Sequence, residues 1–444
     1  MTRRASVRFT GEMRPGERIE GPNEDRTRAV PFEERAVPAV GWPRTDRVFA
    51  AAATAIGLHL ADSRAGGSFP RFVLDAFLVA AGVFLTVTAF RHFGPRRRGG
   101  VALATGSAAT IAGLGADASR IWKFGVAGLD LTGAVSLAAG LVLVALGATV
   151  LVRATRGWRR LLALPAALLM IGYVFVPLTI AVYLTHSPRA ALGGRTPGDE
   201  GLPYREVALT ARDGTRLAAW YVPSRNGGAV VLLHGSGSSR LNVLDHLGVL
   251  GRAGYGVVAV DGRGHGHSEG EPMDLGWMAP LDIGAGVSFL ARRPEVDPGR
   301  IAVLGVSAGG AGALLAAAKD PRVDAVISEG IGVTSFPDAL RLGPDRWWKM
   351  PFYWMGTTGA DLLSPASPPI PMEEALDRVA PRPVLLISGR GTDERFLNRH
   401  LVELGSPTTE LLALPDTKHS LGIWSHPDLW TARVLGFLDR ALGA

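Results

Sequence analysis

The sequence predicts a mostly parallel α/β domain that follows a bundle of transmembrane helices. Five apolar stretches succeed one another within residues 48–185, and short apolar runs alternate with helical patterns through residues 203–444. One of those runs, 301–304, leads into the pattern G-x-S-x-G and then into a small-residue helical stretch. Strands that alternate with helices form a parallel sheet covered on both faces.

Composition narrows the class of protein. The chain has 444 residues, a formal net charge of +7, a mean hydropathy of +0.19 and no cysteine. The missing cysteines exclude disulfides, thiolate metal sites and a cysteine nucleophile. The basic excess lies in residues 1–200, where arginines flank apolar stretches, so we expect membrane segments rather than a nucleic-acid partner.

Residues 1–47 are polar and predict a disordered tail, and residues 48–185 predict a membrane domain. A membrane span needs roughly 18–20 apolar residues. The first and third stretches are shorter than this, so the predicted number of spans is four or five. The five predicted spans are 48–61, 72–90, 101–116, 131–152 and 161–184.

Arginine placement predicts the orientation of these spans. The loops 91–100 and 153–160 each hold four arginines, and such loops stay in the cytoplasm. The chain would then leave the last span on the outer face of the cell membrane. A Gly/Pro-rich linker, 186–202, leads to the α/β domain, which we expect to be extracytoplasmic.

Candidate catalytic residues follow the predicted strands of the α/β domain. The carboxyl ends of parallel strands meet at one edge, where ligands bind. The segments that reach this edge are His-Gly-Ser-Gly at 234–237, Asp-Gly-Arg-Gly-His-Gly-His-Ser at 261–268, Gly-Val-Ser-Ala-Gly at 305–309, Gly-Arg-Gly-Thr-Asp-Glu at 389–394 and Lys-His-Ser at 418–420.

Together these motifs resemble those of α/β-hydrolases, in particular bacterial esterases and prolyl-oligopeptidase-like hydrolases, and the resemblance covers residues 203–444. It implies a nucleophile elbow at Ser307 and a catalytic order of serine, acid and histidine. His419 would be the base, and Asp393 the acid that orients it. Glu394 is the main rival acid and Glu329 a lesser one. The backbone amides of Ser236 and Ala308 would form the oxyanion hole.

An insertion of about fifty residues, 331–379, is expected to form a lid. It contains Trp347, Trp348 and Trp354, which would line an apolar acyl pocket, pack on the core or touch the membrane surface. The segments carry no spacing typical of a metal site, no P-loop and no dinucleotide fingerprint, so we expect neither metal nor cofactor.

The sequence therefore predicts a membrane-anchored serine hydrolase that cleaves carboxylic esters, with a small ester or an amphiphile as substrate and the lipid bilayer as partner. A peptidase or an acyltransferase could use the same three residues. A membrane transporter or sensor whose hydrolase-like domain only binds ligand is the alternative outside the enzymes. Substrate identity and oligomeric state stay open.

Overall fold

The computed structural model describes residues 42–62, 83–124 without 85 and 89, 131–187 without 156 and 158, 189 and 193–443. Residues 43–444 form one compact unit. In its first part the helices are α1 Trp42–Asp62, α2 Pro95–Phe124, α3 Leu131–Ala154, α4 Arg159–Met170, a π-helical turn Ile171–Phe175 and α5 Val176–Thr185.

Four of the five predicted spans coincide with helices. Spans 48–61, 101–116 and 131–152 lie in α1, α2 and α3, and span 161–184 runs from α4 to α5. Most of the predicted span 72–90 lies outside the described residues, as does nearly all of the tail. Within the described part of the chain, one helical segment, Pro165–Thr185, is long and apolar enough to cross a membrane.

The second part of the chain is built on one eight-stranded sheet. The strands are β1 Arg205–Thr210, β2 Arg216–Val222, β3 Ala229–Leu233, β4 Gly256–Val260, β5 Ile301–Val306, β6 Ala325–Glu329, β7 Val384–Ser388 and β8 Thr409–Ala413. Their order is β1-β2-β4-β3-β5-β6-β7-β8. The β1–β2 and β2–β4 pairs are antiparallel and the other five pairs are parallel, so β3 to β8 place their carboxyl ends along one edge.

The central strands are apolar throughout because helices cover both faces of the sheet. Alternate residues of β3 enter two different cores, with Val231 in one and Leu232 in the other, and both are fully buried. The helices of this part of the chain are α6 Leu244–Arg252, α7 Ala279–Leu290, α8 Ala308–Lys319, α9 Phe336–Leu340, α10 Met350–Leu363, α11 Met372–Val379, α12 Thr392–Leu404, α13 Gly422–Ser425 and α14 Pro427–Leu442.

The insertion 331–379 divides into two parts. Helix α9, a 3₁₀ turn at Pro344–Lys349 and helix α10 form the first part, which contacts Asp393 in the first turn after β7 through Lys349 and Tyr353. We call the segment Pro344–Leu363 the lid. Helix α11 instead belongs to the core, since Met372, Ala375, Leu376 and Val379 are buried in the cluster that also holds α8.

Because the sheet is covered on both sides, we predict that Val231→Ala and Leu232→Ala each lower the free energy of unfolding, by about 2 kcal/mol or more for the leucine. Leu404→Ala, at a 47% exposed position, is the matched control and should change it by less than about 0.5 kcal/mol. Thermal unfolding of the purified full chain measures the difference. An unchanged free energy of unfolding in Val231→Ala would contradict a buried core on both faces of the sheet.

Candidate active site

The site begins at the turn between β5 and α8. Ser307 has φ 55° and ψ −116°, a strained conformation for a residue with a side chain. Its amide donates to the carbonyl of Glu329 on β6 at 2.7 Å, which fixes the turn to the neighbouring strand. The hydroxyl is thereby held above the carboxyl edge of the sheet, at the N-terminus of α8.

Glycines on both sides make this turn possible. A Cβ placed on Gly305 would lie 1.9 Å from the carbonyl oxygen of Gly309, so strand and helix pass too closely for any other residue. A Cβ on Gly309 would lie 2.6 Å from the carbonyl oxygen of His234. The start of α8 is therefore pressed directly against the loop that follows β3.

His419 reaches Ser307 from the loop after β8. Its Nε2 lies 2.8 Å from Ser307 Oγ, and its ring is about half exposed. The structure therefore brings together the serine and the histidine that the sequence singled out, although they are 112 residues apart in the chain.

The carboxylate beside His419 belongs to Glu394. Glu394 Oε2 lies 2.7 Å from His419 Nδ1, and Oε1 accepts from the amide of Gly389 at 2.6 Å. Its side chain is only 6% exposed. When Nδ1 donates to this carboxylate, Nε2 is left as the acceptor for the Ser307 hydroxyl.

The prediction that Asp393 orients His419 is wrong. Asp393 and Glu394 are neighbours in the first turn of α12, where consecutive side chains point about 100° apart. Only one of them can face the histidine, and the longer Glu394 does so.

Asp393 instead faces the lid, where three donors converge on its carboxylate. Lys349 Nζ lies 2.6 and 2.8 Å from its two oxygens, Tyr353 Oη donates at 2.7 Å and Arg346 Nε donates at 3.1 Å. Partial burial would raise the pKa of Asp393, but these hydrogen bonds and charges hold it below its usual value. Sequence reasoning missed the three donors because only the folded lid places them opposite α12.

Glu329, the other rival acid, is also occupied elsewhere. It accepts from the amide of Gly422 at 2.8 Å and from the indole of Trp430 at 2.9 Å. Burial opposes its charge, but His246 and the two hydrogen bonds hold the pKa of Glu329 below its usual value. Because Gly422 is three residues beyond His419, this buried carboxylate anchors the loop that carries the histidine.

The loop after β3 passes beside the serine. A Cβ on Gly235 would lie 3.1 Å from Ser307 Cβ and 3.8 Å from Ser307 Oγ, so the next amide, that of Ser236, lies close to the hydroxyl. Within the part of the chain that the structure describes, the amides of Ser236 and Ala308 donate to no other protein group. Both amides are thus available to an oxyanion.

His234 shapes this loop. Burial, with repulsion from His265, lowers the pKa of His234 to about 3, so its ring is neutral. Its Nε2 accepts from the amide of Gly262 at 3.0 Å, and its Nδ1 lies 2.8 Å from the carbonyl of Gly235. Across residues 193–443 and the described helices before them, no group of three or more His, Asp or Glu side chains could hold a metal ion.

Parts of this chain are similar to known proteins. A family model described as serine aminopeptidase, S33, matches residues 224–342. The uncharacterised protein YfhR of Escherichia coli O157:H7 is 25% identical over 63% of this chain and 99% of its own length. The thiohydrolase aneE of Aspergillus aculeatus is 34% identical over 30% of this chain and 43% of its own. An esterase of Pyrococcus furiosus aligns with 59% of this chain and 99% of its own, at 26% identity and a TM-score of 0.49.

A mostly parallel sheet of this strand order, with a serine on a sharp turn after β5, is an α/β-hydrolase fold. The match of residues 224–342 to a hydrolase family supports a hydrolase of this fold.

We predict that Asp393→Asn loosens the lid. The pKa of Asp393 is depressed, so its attraction to the lid is complete above about pH 4 and is lost as the pH falls through the folded-state value below that. At pH 7, hydrogen exchange of residues 344–353 should therefore speed up in the variant.

The matched control is Glu374→Gln, which removes one carboxylate from an exposed i,i+4 pair with Arg378. It should leave exchange of the lid unchanged, because such pairs stabilise a helix by only about 0.3–0.5 kcal/mol. Equal exchange in wild type and Asp393→Asn would show that the three donors do not hold the lid.

Proposed function

We propose that the protein is a serine hydrolase that cleaves carboxylic esters through an acyl-enzyme, with Ser307 as nucleophile, His419 as base and Glu394 as the acid. The observation that carries this proposal is the continuous hydrogen-bonded line from Ser307 Oγ to His419 at 2.8 Å and on to Glu394 at 2.7 Å. A binding module has no need of such a line.

Each residue has a defined task in this reaction. His419 Nε2 takes the proton of Ser307 as Oγ bonds to the ester carbonyl carbon, and then gives it to the departing alcohol. Glu394 holds the ring in the tautomer that accepts at Nε2, and it stabilises the imidazolium. Water, activated by the same histidine, then releases the acid from the acyl-enzyme.

The negative charge on the substrate oxygen would be met by the amides of Ser236 and Ala308. Their freedom from other protein acceptors supports this role. Donors fixed before the reaction need no reorganisation as charge develops, and one such donor typically contributes about 10²–10³ in rate.

The surroundings favour an ester over a peptide with a free amino terminus, although the matched family model is described as serine aminopeptidase. An aminopeptidase needs a carboxylate that can bind the substrate ammonium group. Asp393, which precedes Glu394 in the chain, and Glu329, which anchors the His419 loop, are both occupied, Asp393 by the lid and Glu329 by Gly422 and Trp430.

We also propose that Pro165–Thr185 attaches the protein to a membrane. This segment has a mean hydropathy of 2.2 over its most apolar window, of which 17% is buried. Close packing of α2 on α3, where a Cβ on Gly106 would lie 2.6 Å from the amide of Val144, suits helices in lipid. The match to YfhR covers more of this chain than residues 203–444 make up, so it reaches into the helical part.

The remaining membrane predictions rest on the sequence alone. Five spans, an extracytoplasmic hydrolase domain and a multi-pass place in the cell membrane follow from apolar stretches and arginine-rich loops. An acyltransferase would use the same three residues, and the acceptor would be decided by how well water is excluded.

We predict that the purified protein hydrolyses p-nitrophenyl esters and that Glu394→Gln lowers kcat by about 10⁴, because the histidine loses the partner that fixes its tautomer. Ser307→Ala and His419→Ala should lower kcat by about 10⁶. Steady-state kinetics of the full chain in detergent measures all three.

Asp393→Asn is the matched control, since it makes the same acid-to-amide change one residue earlier. It should retain at least about a tenth of wild-type kcat on p-nitrophenyl acetate, a difference below 1.4 kcal/mol in barrier. A larger loss in Asp393→Asn than in Glu394→Gln would contradict the assignment of the acid.

A further inference from the structure

The outer surface of the lid is unusually apolar. Five large apolar side chains of the lid stand in solvent: Trp347 at 73%, Trp348 at 50%, Trp354 at 50%, Leu362 at 80% and Leu363 at 42% exposure. Single exposed apolar residues are normal, but a group of this kind marks an interaction surface. We call these five residues the lid face.

We call the apolar segment Pro165–Thr185 the candidate span. The lid helix α10 is packed along its last helix, α5. A Cβ on Gly356 would lie 3.5 Å from Pro177 Cβ, and a Cβ on Gly359 would lie 2.9 Å from Leu178 and 3.1 Å from Ala181. Small residues of the lid thus allow close contact with α5. Any lipid layer that surrounds α5 must therefore also meet α10.

The lid is held from its other end as well. Lys349, Arg346 and Tyr353 bind Asp393, next to the acid that contacts His419. The lid is therefore fixed between the candidate span and the reacting groups.

The candidate span also carries exposed apolar side chains. Leu168, Leu169 and Met170 of α4 and Val182 of α5 are each about half exposed or more. The charged residues of the lid also fit a membrane boundary, because Lys349 Nζ lies 5.4 Å from the centre of the Trp348 ring. Tryptophan beside lysine and arginine is the mixture found where protein crosses from lipid to water.

We propose that the lid face lies in the boundary layer of the bilayer beside Pro165–Thr185, and that the site therefore takes its substrate from that layer, as an ester of a long acyl chain. The lipid contact rests on the proposed membrane attachment, and the substrate class rests on the proposed esterase activity. A second copy of the chain or another protein on the lid face is the competing outcome.

Tryptophan fluorescence tests the contact independently of catalysis. The full chain is reconstituted in phosphatidylcholine vesicles with or without phosphatidylcholine brominated on its acyl chains, which quenches only tryptophans in the lipid layer. We expect the combined variant Trp347→Phe, Trp348→Phe and Trp354→Phe to lose a large part of the quenchable emission. Trp424→Phe is the control, since Trp424 is 47% exposed but donates to Asp245 on α6.

An unchanged quenchable emission in the triple variant, with the protein still floating with the vesicles, would overturn the lid contact. So would crosslinking of the lid to a second copy in place of quenching. Neither result depends on enzyme activity.

Kinetics test the substrate class. With Trp347→Ser and Trp348→Ser combined, hydrolysis of a long-chain ester presented in vesicles should fall by roughly tenfold, the equivalent of about 1.4 kcal/mol. Hydrolysis of soluble p-nitrophenyl acetate should stay unchanged. Equal losses on both esters would overturn uptake from the bilayer. A wild-type protein that is inactive on every ester would instead contradict the proposed function. The quenching result would still test the lipid contact.

Discussion

The backbone of Ser307 is the constraint on which the site depends. A residue with a side chain is held at positive φ between a buried strand and a helix, and the turn closes only because Gly305 and Gly309 let the two backbones pass. The same closeness presses α8 on the loop after β3, so that the amides of Ser236 and Ala308, which donate to no other group among the described residues, lie beside the hydroxyl. The proposed nucleophile and the proposed oxyanion hole therefore arise from one packing arrangement.

The parallel sheet brings the other groups to this turn. His419 comes from the loop after β8, which Glu329 anchors through Gly422, and Glu394 comes from the first turn of α12 after β7. The hydrogen bonds of His419 to Ser307 and to Glu394 join segments that follow three different strands. Buried carboxylates with all their oxygens occupied are rigid supports for such a loop cluster.

The sequence alone predicted the mostly parallel α/β domain and the pairing of Ser307 with His419, because glycines, apolar runs and chain order carry that information locally. The sequence did not tell whether Asp393 or Glu394 contacts His419. That choice depends on which side of α12 faces the lid, and the lid donors Arg346, Lys349 and Tyr353 lie 47, 44 and 40 residues from Asp393 in the chain. Apolar stretches likewise predicted the helices before residue 186, but hydropathy does not tell how many of them cross a bilayer.

The most direct test of the account is to locate the adduct of a fluorophosphonate on the purified full chain by intact mass and peptide mapping. The account predicts one adduct per chain, on Ser307, formed rapidly in wild type and very slowly when His419 is replaced by alanine. A well-folded wild type that stays unlabelled, or an adduct on another residue, would contradict it.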